Sequence, residues 1–366
     1  MMSCSWIGCG TSSRRGTPTT RDVSVSAVTW IHPGTGWLLF TSTASETILR
    51  VFSPVPGWTA VMLKLPGSGG WVASAVGGVV AVAVAGWDEV QHPGPLQGVM
   101  VRVSTDGAGS FPRSHVFGWR GAMCAPYGFD PQVAVTQGGV VVLAYWRTCS
   151  KLVVTRSTDL GKTWSAPYLT SRTDKPLTGL GESLYRLPGG RLLRYSLELV
   201  WPAEPDASRP DYLSLAGGRK FDSYYSISED NGHTFSERKL LSDPVARDDF
   251  AQGGIVELQN GDLIWSWGCW GAEPLNGFKR STDGGLTWGP VTRAFEDPPP
   301  GFARPVAFNE TGVAVCKDGT IVAIARVDGC PPDNDKRFWL IQSRDNGQTW
   351  TAPRQIPIMG GSPALH

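Results

Sequence analysis

The sequence predicts an all-β protein built as a six-bladed β-propeller of four-stranded antiparallel blades, and three observations predict it. An eight-residue pattern, Ser-x-Asp-x-Gly-x-Thr-Trp, recurs along the chain. A second turn signal containing Gly precedes each copy. No stretch carries a sustained 3.6-residue apolar period, because 45 Gly and 28 Pro interrupt a chain of 366 residues at short intervals.

The pattern is clearest at Ser157 to Trp164, Ser281 to Trp288 and Ser343 to Trp350, and Ser228 to Phe235 carries Phe in place of Trp. Two worn copies precede these. Ser104-Thr105-Asp106 is followed by Gly109-Ser110-Phe111, and Ser53 is followed by Gly57-Trp58-Thr59 without the Asp. An Asp at the head of a tight turn accepts backbone N–H bonds, Gly supplies a positive φ, and the aromatic leaves the turn to pack under a sheet. Asp106, Asp159, Asp230, Asp283 and Asp345 are therefore expected to fasten hairpins rather than to catalyse.

In chain order, residues 1–22 form an N-terminal segment that lacks the continuous apolar core of a secretory signal. The repeats then run over residues 23–358. Gly34 to Gly36 precedes Ser53, Gly77-Gly78 precedes Ser104, Gly138-Gly139 precedes Ser157, Gly189-Gly190 precedes Ser228, Asn260-Gly261 precedes Ser281, and Asp318-Gly319 precedes Ser343. Short apolar or alternating runs flank the first turn of each pair, as at Gly254 to Leu258 with Asp262 to Trp267, and read as strands A and B. A third run enters each eight-residue turn (Leu152 to Arg156, Arg337 to Gln342) and a fourth leaves it (Ala352 to Ile356). Such units cannot bury both faces singly, and radial packing about an axis does so while leaving short edges. The stretch Leu197 to Phe221, rich in Pro, Asp and Arg, reads as a loop insertion between strands B and C of the fourth unit.

A net charge of +1 gives no long-range field to draw nucleic acid or an anionic membrane, and no apolar run is long enough for a membrane span. The seven cysteines fit no zinc template. Cys124 with Cys149, and Cys316 with Cys330, each flank a hairpin, and buried free thiols are the expected state. The five histidines are scattered, and none stands at ligand spacing from a Cys or carboxylate. Neither a metal nor another cofactor is expected.

The turn pattern and its copy number resemble the sialidase-like Asp-box (BNR-repeat) β-propellers of the neuraminidase superfamily, and the resemblance covers nearly the whole chain. A sharper match is Phe308-Asn309-Glu310, then Lys317-Asp318-Gly319-Thr320, then Ala325-Arg326. It resembles the sialidase segment in which a Glu and a carboxylate-binding Arg lie on adjacent inner strands. A hairpin of that length returns Arg326 beside Glu310, where the carboxylate can fix the guanidinium or act as a base.

The resemblance implies an active face opposite the Asp turns. There, three arginines bind the substrate carboxylate, a Tyr activated by a Glu is the nucleophile, and an Asp is the acid/base. Carried over, Glu310 is the activating carboxylate, Arg326 one carboxylate ligand with Arg304 and Arg147 as the others, and Asp88 the acid/base. Trp270, at a strand end, is a sugar-stacking candidate, and Tyr145, close to Arg147 on the same strand, is a further substrate-binding candidate. The chain departs from the family pattern in having no Tyr after Tyr225 and no Arg after Arg354. Its last residues, 359–366, resemble the opening of another inner strand, which leaves two readings: a closing segment is missing, or a closed propeller has given up the usual nucleophile.

Two classes of function follow, with a third beside them. The first is a sialidase-like exo-glycosidase removing sialic acid or another terminal acidic sugar from a glycan. The second is a catalytically inactive propeller that binds a glycan or a protein through the Leu197 to Phe221 insertion and the aromatic rim. The third is another hydrolase, or a lyase, on acidic polysaccharide, using Tyr145 or Tyr127 with Arg147.

Overall fold

The structure is a computed structural model that describes residues 24–32, 36–42, 46–52, 61–66, 71–76, 78–85, 98–107, 110–118, 131–148, 151–169, 183–199, 221–241, 249–269, 275–295, 307–328 and 337–359. Among these, the strands form six four-stranded antiparallel sheets, each built from four successive segments of chain. Helical structure among them is a single 3-10 turn, Pro188–Gly190, and no helix is long and apolar enough to cross a membrane.

The first sheet holds β1 (Ser24–His32), β2 (Gly36–Ser42), β3 (Glu46–Phe52) and β4 (Val61–Pro66), and the second β5 (Trp71–Val76), β6 (Val79–Ala85), β7 (Gly98–Ser104) and β8 (Arg113–Gly118). The third holds β9 (Gln132–Val135), β10 (Val141–Thr148), β11 (Lys151–Ser157) and β12 (Tyr168–Leu169), and the fourth β13 (Ser183–Arg186), β14 (Leu192–Leu199), β15 (Phe221–Ser228) and β16 (Lys239–Leu240). The fifth holds β17 (Asp249–Glu257), β18 (Leu263–Cys269), β19 (Leu275–Ser281) and β20 (Thr292–Arg293), and the sixth β21 (Ala307–Val315), β22 (Ile321–Asp328), β23 (Arg337–Ser343) and β24 (Arg354–Met359).

The strand register corrects the limits of the expected insertion. Leu197, Glu198 and Leu199 pair with Ser223, Asp222 and Phe221, so both ends of that stretch extend the β14–β15 hairpin rather than leaving it. Residues 200–220 lie outside the described residues.

Five of the eight-residue turns join the third and fourth strands of sheets two to six, and in all five the Asp carboxylate accepts from the leading Ser hydroxyl and from the backbone N–H four residues after the Asp. In the fifth sheet, Ser281 Oγ donates to Asp283 Oδ1 at 2.7 Å, the Thr287 N–H donates to the same oxygen at 2.9 Å, and the Gly285 N–H donates to Ser281 Oγ at 2.8 Å. The worn copy at Asp106 keeps the pattern with Ser110 in the place of Thr: its N–H and its hydroxyl donate to the two carboxylate oxygens at 2.9 and 2.7 Å. Each carboxylate thus ties the turn to itself. The Ser53 copy lies outside the described residues.

The core lies between chain-neighbouring sheets. Phe117, Tyr145, Val133 and Val101 form one buried cluster. Trp265 and Trp267 are fully buried with Tyr185, Tyr195 and Tyr225 in another, and Trp339, Phe308 and Phe278 anchor a third. The turn aromatics fill the same gaps: Trp164 meets Phe117 edge-on at 5.3 Å between ring centroids, and Trp350 stacks on Phe278 at 4.8 Å. Polar staples add direction. Arg113 donates to the Leu160 carbonyl at 2.7 Å, Arg156 to that of Asp230 at 3.2 Å, and Arg191 to that of Gly284 at 3.2 Å, each reaching from one sheet to the Asp turn of the next.

Cys316 corrects the expectation of buried thiols. It is free, as expected, but exposed, because it sits at the tip of the β21–β22 hairpin rather than on a packed strand.

Candidate functional site

The β21–β22 hairpin turns tightly. The Cys316 N–H donates to the Thr320 carbonyl at 2.8 Å, the Gly319 N–H to the Cys316 carbonyl at 3.0 Å, and the Thr320 N–H to Asp318 Oδ1 at 3.0 Å. Ser343 pairs with Ile321, so the Asp345 turn and the β21–β22 turn share one end of the sheet. Arg326 lies five residues past Ile321 and pairs with Asn309. At about 3.3 Å per residue, that sets it roughly 17 Å toward the opposite end.

There the two residues singled out in the sequence meet. Arg326 Nη1 lies 2.9 Å from Glu310 Oε2, with side chains 28 % and 34 % exposed. A pair this close, partly shielded but open to solvent, can engage an incoming anion. The register contains an irregularity here: Asn309 pairs with Arg326 and Gly312 with Ile324, so Glu310 and Thr311 face the single residue Ala325. This is a β-bulge, and bulges re-aim side chains. Glu310 adopts a left-handed φ of 49°, an uncommon conformation for a residue with a Cβ. The run Thr311 to Val315 reads in the sequence as a strand with Glu310 just at its start. Glu310 stands inside β21 instead, because the strand runs on past the bulge to Val315.

A second irregularity lies alongside. β17 breaks register between Ala251 and Ile255, and the Gly253 carbonyl accepts from Tyr185 Oη at 3.0 Å and Trp265 Nε1 at 3.2 Å. A Cβ on Gly253 would stand 2.1 Å from the Thr311 carbonyl oxygen, so the two bulges touch backbone to backbone. Asn276 of β19 reaches the same place, donating to the Phe308 carbonyl at 2.8 Å and accepting from Thr311 Oγ1 at 3.0 Å. Sequence reasoning missed Gly253, Asn276 and Thr311. The run around Asn276, Leu275–Ser281, mixes Leu, Gly and Phe with Lys, Arg and Ser, so nothing local marked the amide.

The remaining candidates divide by position. Tyr145 is 3 % exposed, and its ring packs 5.4 Å from Phe117 in the cluster between the second and third sheets. That corrects its placement as a sugar-binding side chain, since the ring is taken up in the core. Arg147 lies on β10, next to the strand end; its side chain lies outside what is described. Asp88, Trp270, Arg304 and Tyr127 fall outside the described residues. Trp265 and Trp267 prove to be packing residues between sheets.

A polar hollow of about 360 Å³ lies at the other end of the sheets, lined by Gln259, Asp318, Gly319, Thr320, Arg344 and Asn346. It belongs to the Asp-turn end, away from the Glu310–Arg326 pair.

A scan against models of known families finds no match, and a search of curated proteins finds none. Among solved structures, the chain is similar to an ulvan lyase described as a new family of polysaccharide lyase, with a TM-score of 0.55 at 13 % identity over 92 % of this chain and 86 % of that one. The same lyase with -[GlcA(1-4)Rha3S]- bound gives 0.53 at 14 % identity, over 89 % and 82 %. A protein of unknown function from Dyadobacter fermentans DSM 18053 is 24 % identical over 64 % of this chain and 70 % of that one, with a TM-score of 0.48. A Hadza microbial sialidase is 16 % identical over 84 % of this chain, with a TM-score of 0.43; this chain spans 60 % of its length. At such identities the likeness is one of fold: the chain shares an all-β, propeller-like architecture with the lyase.

Proposed function

We propose that the six sheets close about one axis as a six-bladed propeller of the Asp-box type, and that the chain is a sialidase-like exo-glycosidase acting on a terminal acidic sugar of a glycan. The observation that carries this reading is the Glu310–Arg326 pair, half-open to solvent at the end of the sixth sheet away from its Asp turn. A planar guanidinium with five donors can hold a protein carboxylate on one edge and take a sugar carboxylate on another.

In this reading Arg326 anchors the sugar carboxylate, with Arg304 and Arg147 as further ligands, and Trp270 stacks on the ring. Glu310 takes the proton from the attacking water, whose oxygen bonds to the anomeric carbon. The bond from that carbon to the leaving oxygen breaks, and Asp88 protonates the leaving oxygen.

The test is hydrolysis of a fluorogenic sialoside, and of a panel of acidic oligosaccharides, by the wild type and by Glu310→Gln. Turnover by the wild type that falls about 10²- to 10⁴-fold in Glu310→Gln supports the proposal. Equal rates in the two proteins overturn the role of Glu310. Inactivity of both with retained glycan binding overturns catalysis and leaves a binding propeller. A second reading, β-elimination on an acidic polysaccharide, draws support from the likeness to ulvan lyase. Its sign would be a product carrying the ultraviolet absorbance of a double bond conjugated to the sugar carboxylate.

A further inference from the structure

We infer that Asn276 is a positioning residue for Glu310, acting from the neighbouring sheet through the bulge of β21. Its side-chain amide spans that bulge. Nδ2 donates to the Phe308 carbonyl on one side of Asn309 and Glu310, and Oδ1 accepts from Thr311 Oγ1 on the other. All of this is dry: Asn276 is 3 % exposed, Asn309 1 % and Thr311 0 %.

The amide is itself held still. The Asn276 backbone carbonyl accepts the Ala294 and Phe295 N–H groups at 3.1 and 3.3 Å, and Asn276 pairs with Gly268 in the fifth sheet. Inside the bulge, the Glu310 N–H donates to Asn309 Oδ1 at 2.8 Å. A left-handed φ at a non-glycine residue persists only where its surroundings over-determine it. Here the surroundings include one amide gripping both flanks. Without that grip the extra residue can be expelled toward regular pairing, and a shift of one residue turns a side chain to the other face of the sheet. Glu310 would then leave Arg326.

The kinetic consequence rests on the reading of Glu310 as the reacting carboxylate; the structural consequence does not. The experiment compares the wild type with Asn276→Ala, Thr311→Val and Thr311→Ser, by crystal structure, melting temperature and kinetics on the acidic glycan turned over by the wild type. Thr311→Val removes the hydroxyl at nearly constant shape and serves where Asn276→Ala fails to fold. In Asn276→Ala and Thr311→Val the Glu310–Arg326 contact opens and kcat falls on the order of 10²-fold, with KM changing less. Thr311→Ser, which keeps the hydroxyl, retains both contact and rate. A merely structural residue would lower the melting temperature and leave kcat and the ion pair alone, and that outcome overturns the inference. If the wild type turns over no acidic glycan, the proposed activity fails on its own; the clamp is then judged by the crystal structures, where an intact ion pair in both variants sinks it.

Discussion

Gly253 of β17 and Thr311 of β21 meet so closely that a Cβ on Gly253 would stand 2.1 Å from the Thr311 carbonyl oxygen and 3.2 Å from Ser266 Cβ. The obstacle is backbone, which cannot rotate away as a flexible side chain would. Gly253→Ala must therefore push the fifth and sixth sheets apart at the bulge that carries Glu310. The expected cost is about 1–3 kcal/mol of stability, read as a lowered denaturant midpoint. An Ala variant as stable as the wild type would show that the contact yields freely.

Leu160 occupies a backbone position its side chain does not suit. Its φ is 61°, and the equivalent places in three other Asp turns hold Asn231, Gly284 and Asn346 at 58°, 71° and 57°. Left-handed geometry costs an ordinary L-residue about 1–2 kcal/mol, and Asn tolerates it better. Leu160→Asn should raise stability by about 0.5–1 kcal/mol once lost packing is discounted, seen as a melting temperature a few degrees higher. An unchanged or lower value would mean that packing of the Leu side chain outweighs the strain.

The Asp turns make stability depend on acid. Partial burial pushes the Asp283 carboxyl up, and the hydroxyl and N–H of Thr287 with the Ser281 hydroxyl pull it further down, to about 2 against an ordinary 3.8. Asp106 is held at about 2, chiefly by the hydroxyls of Ser104 and Ser110. Asp159 and Asp345 are also held low, chiefly by the hydroxyls of Thr163 and Thr349. A depressed folded pKa contributes stability that is present above the unfolded value and lost as pH falls through the folded one. The wild-type melting temperature should thus drop between about pH 4 and pH 2. Asp283→Asn should be less stable at neutral pH and show a shallower drop. Parallel curves for the two proteins would refute the linkage.

Arg280 ties the fifth sheet to the sixth. Its Nη1 meets Asp262 Oδ2 at 2.7 Å while its Nη2 donates to the Asn346 carbonyl in the next Asp turn. Arg280→Lys keeps the charge but offers one ammonium where two separated donors are needed. It should recover less than half of the about 1.5–3 kcal/mol expected to be lost in Arg280→Ala, by chemical denaturation. Full recovery by Lys would mean that charge rather than fork geometry makes the staple.

Much of the fold was legible because its signals are local. Ser281, Asp283, Gly285 and Thr287 satisfy one another within a single turn, so those residue types at that spacing suffice to announce the hairpin. The nearness of Glu310 to Arg326 was legible for a similar reason, since hairpin length brings Asn309, the residue before Glu310, opposite Arg326; the bulge that turns Glu310 onto the guanidinium was not. Tyr145 was misplaced because position along a strand says how far a residue stands from the turn but not what packs on its ring, and Phe117 belongs to another sheet.

The sequence by itself determined the repeat, its strand order and the carboxylate–guanidinium couple, each a matter of spacing within one short segment. Tertiary structure decided the rest. The bulge that aims Glu310 depends on an amide 35 residues from Thr311, and the glycine that lets two strands touch is defined by a carbonyl in another sheet. Apart from the turn aromatics, contacts between sheets arise from how neighbouring units pack, and the local pattern does not encode them.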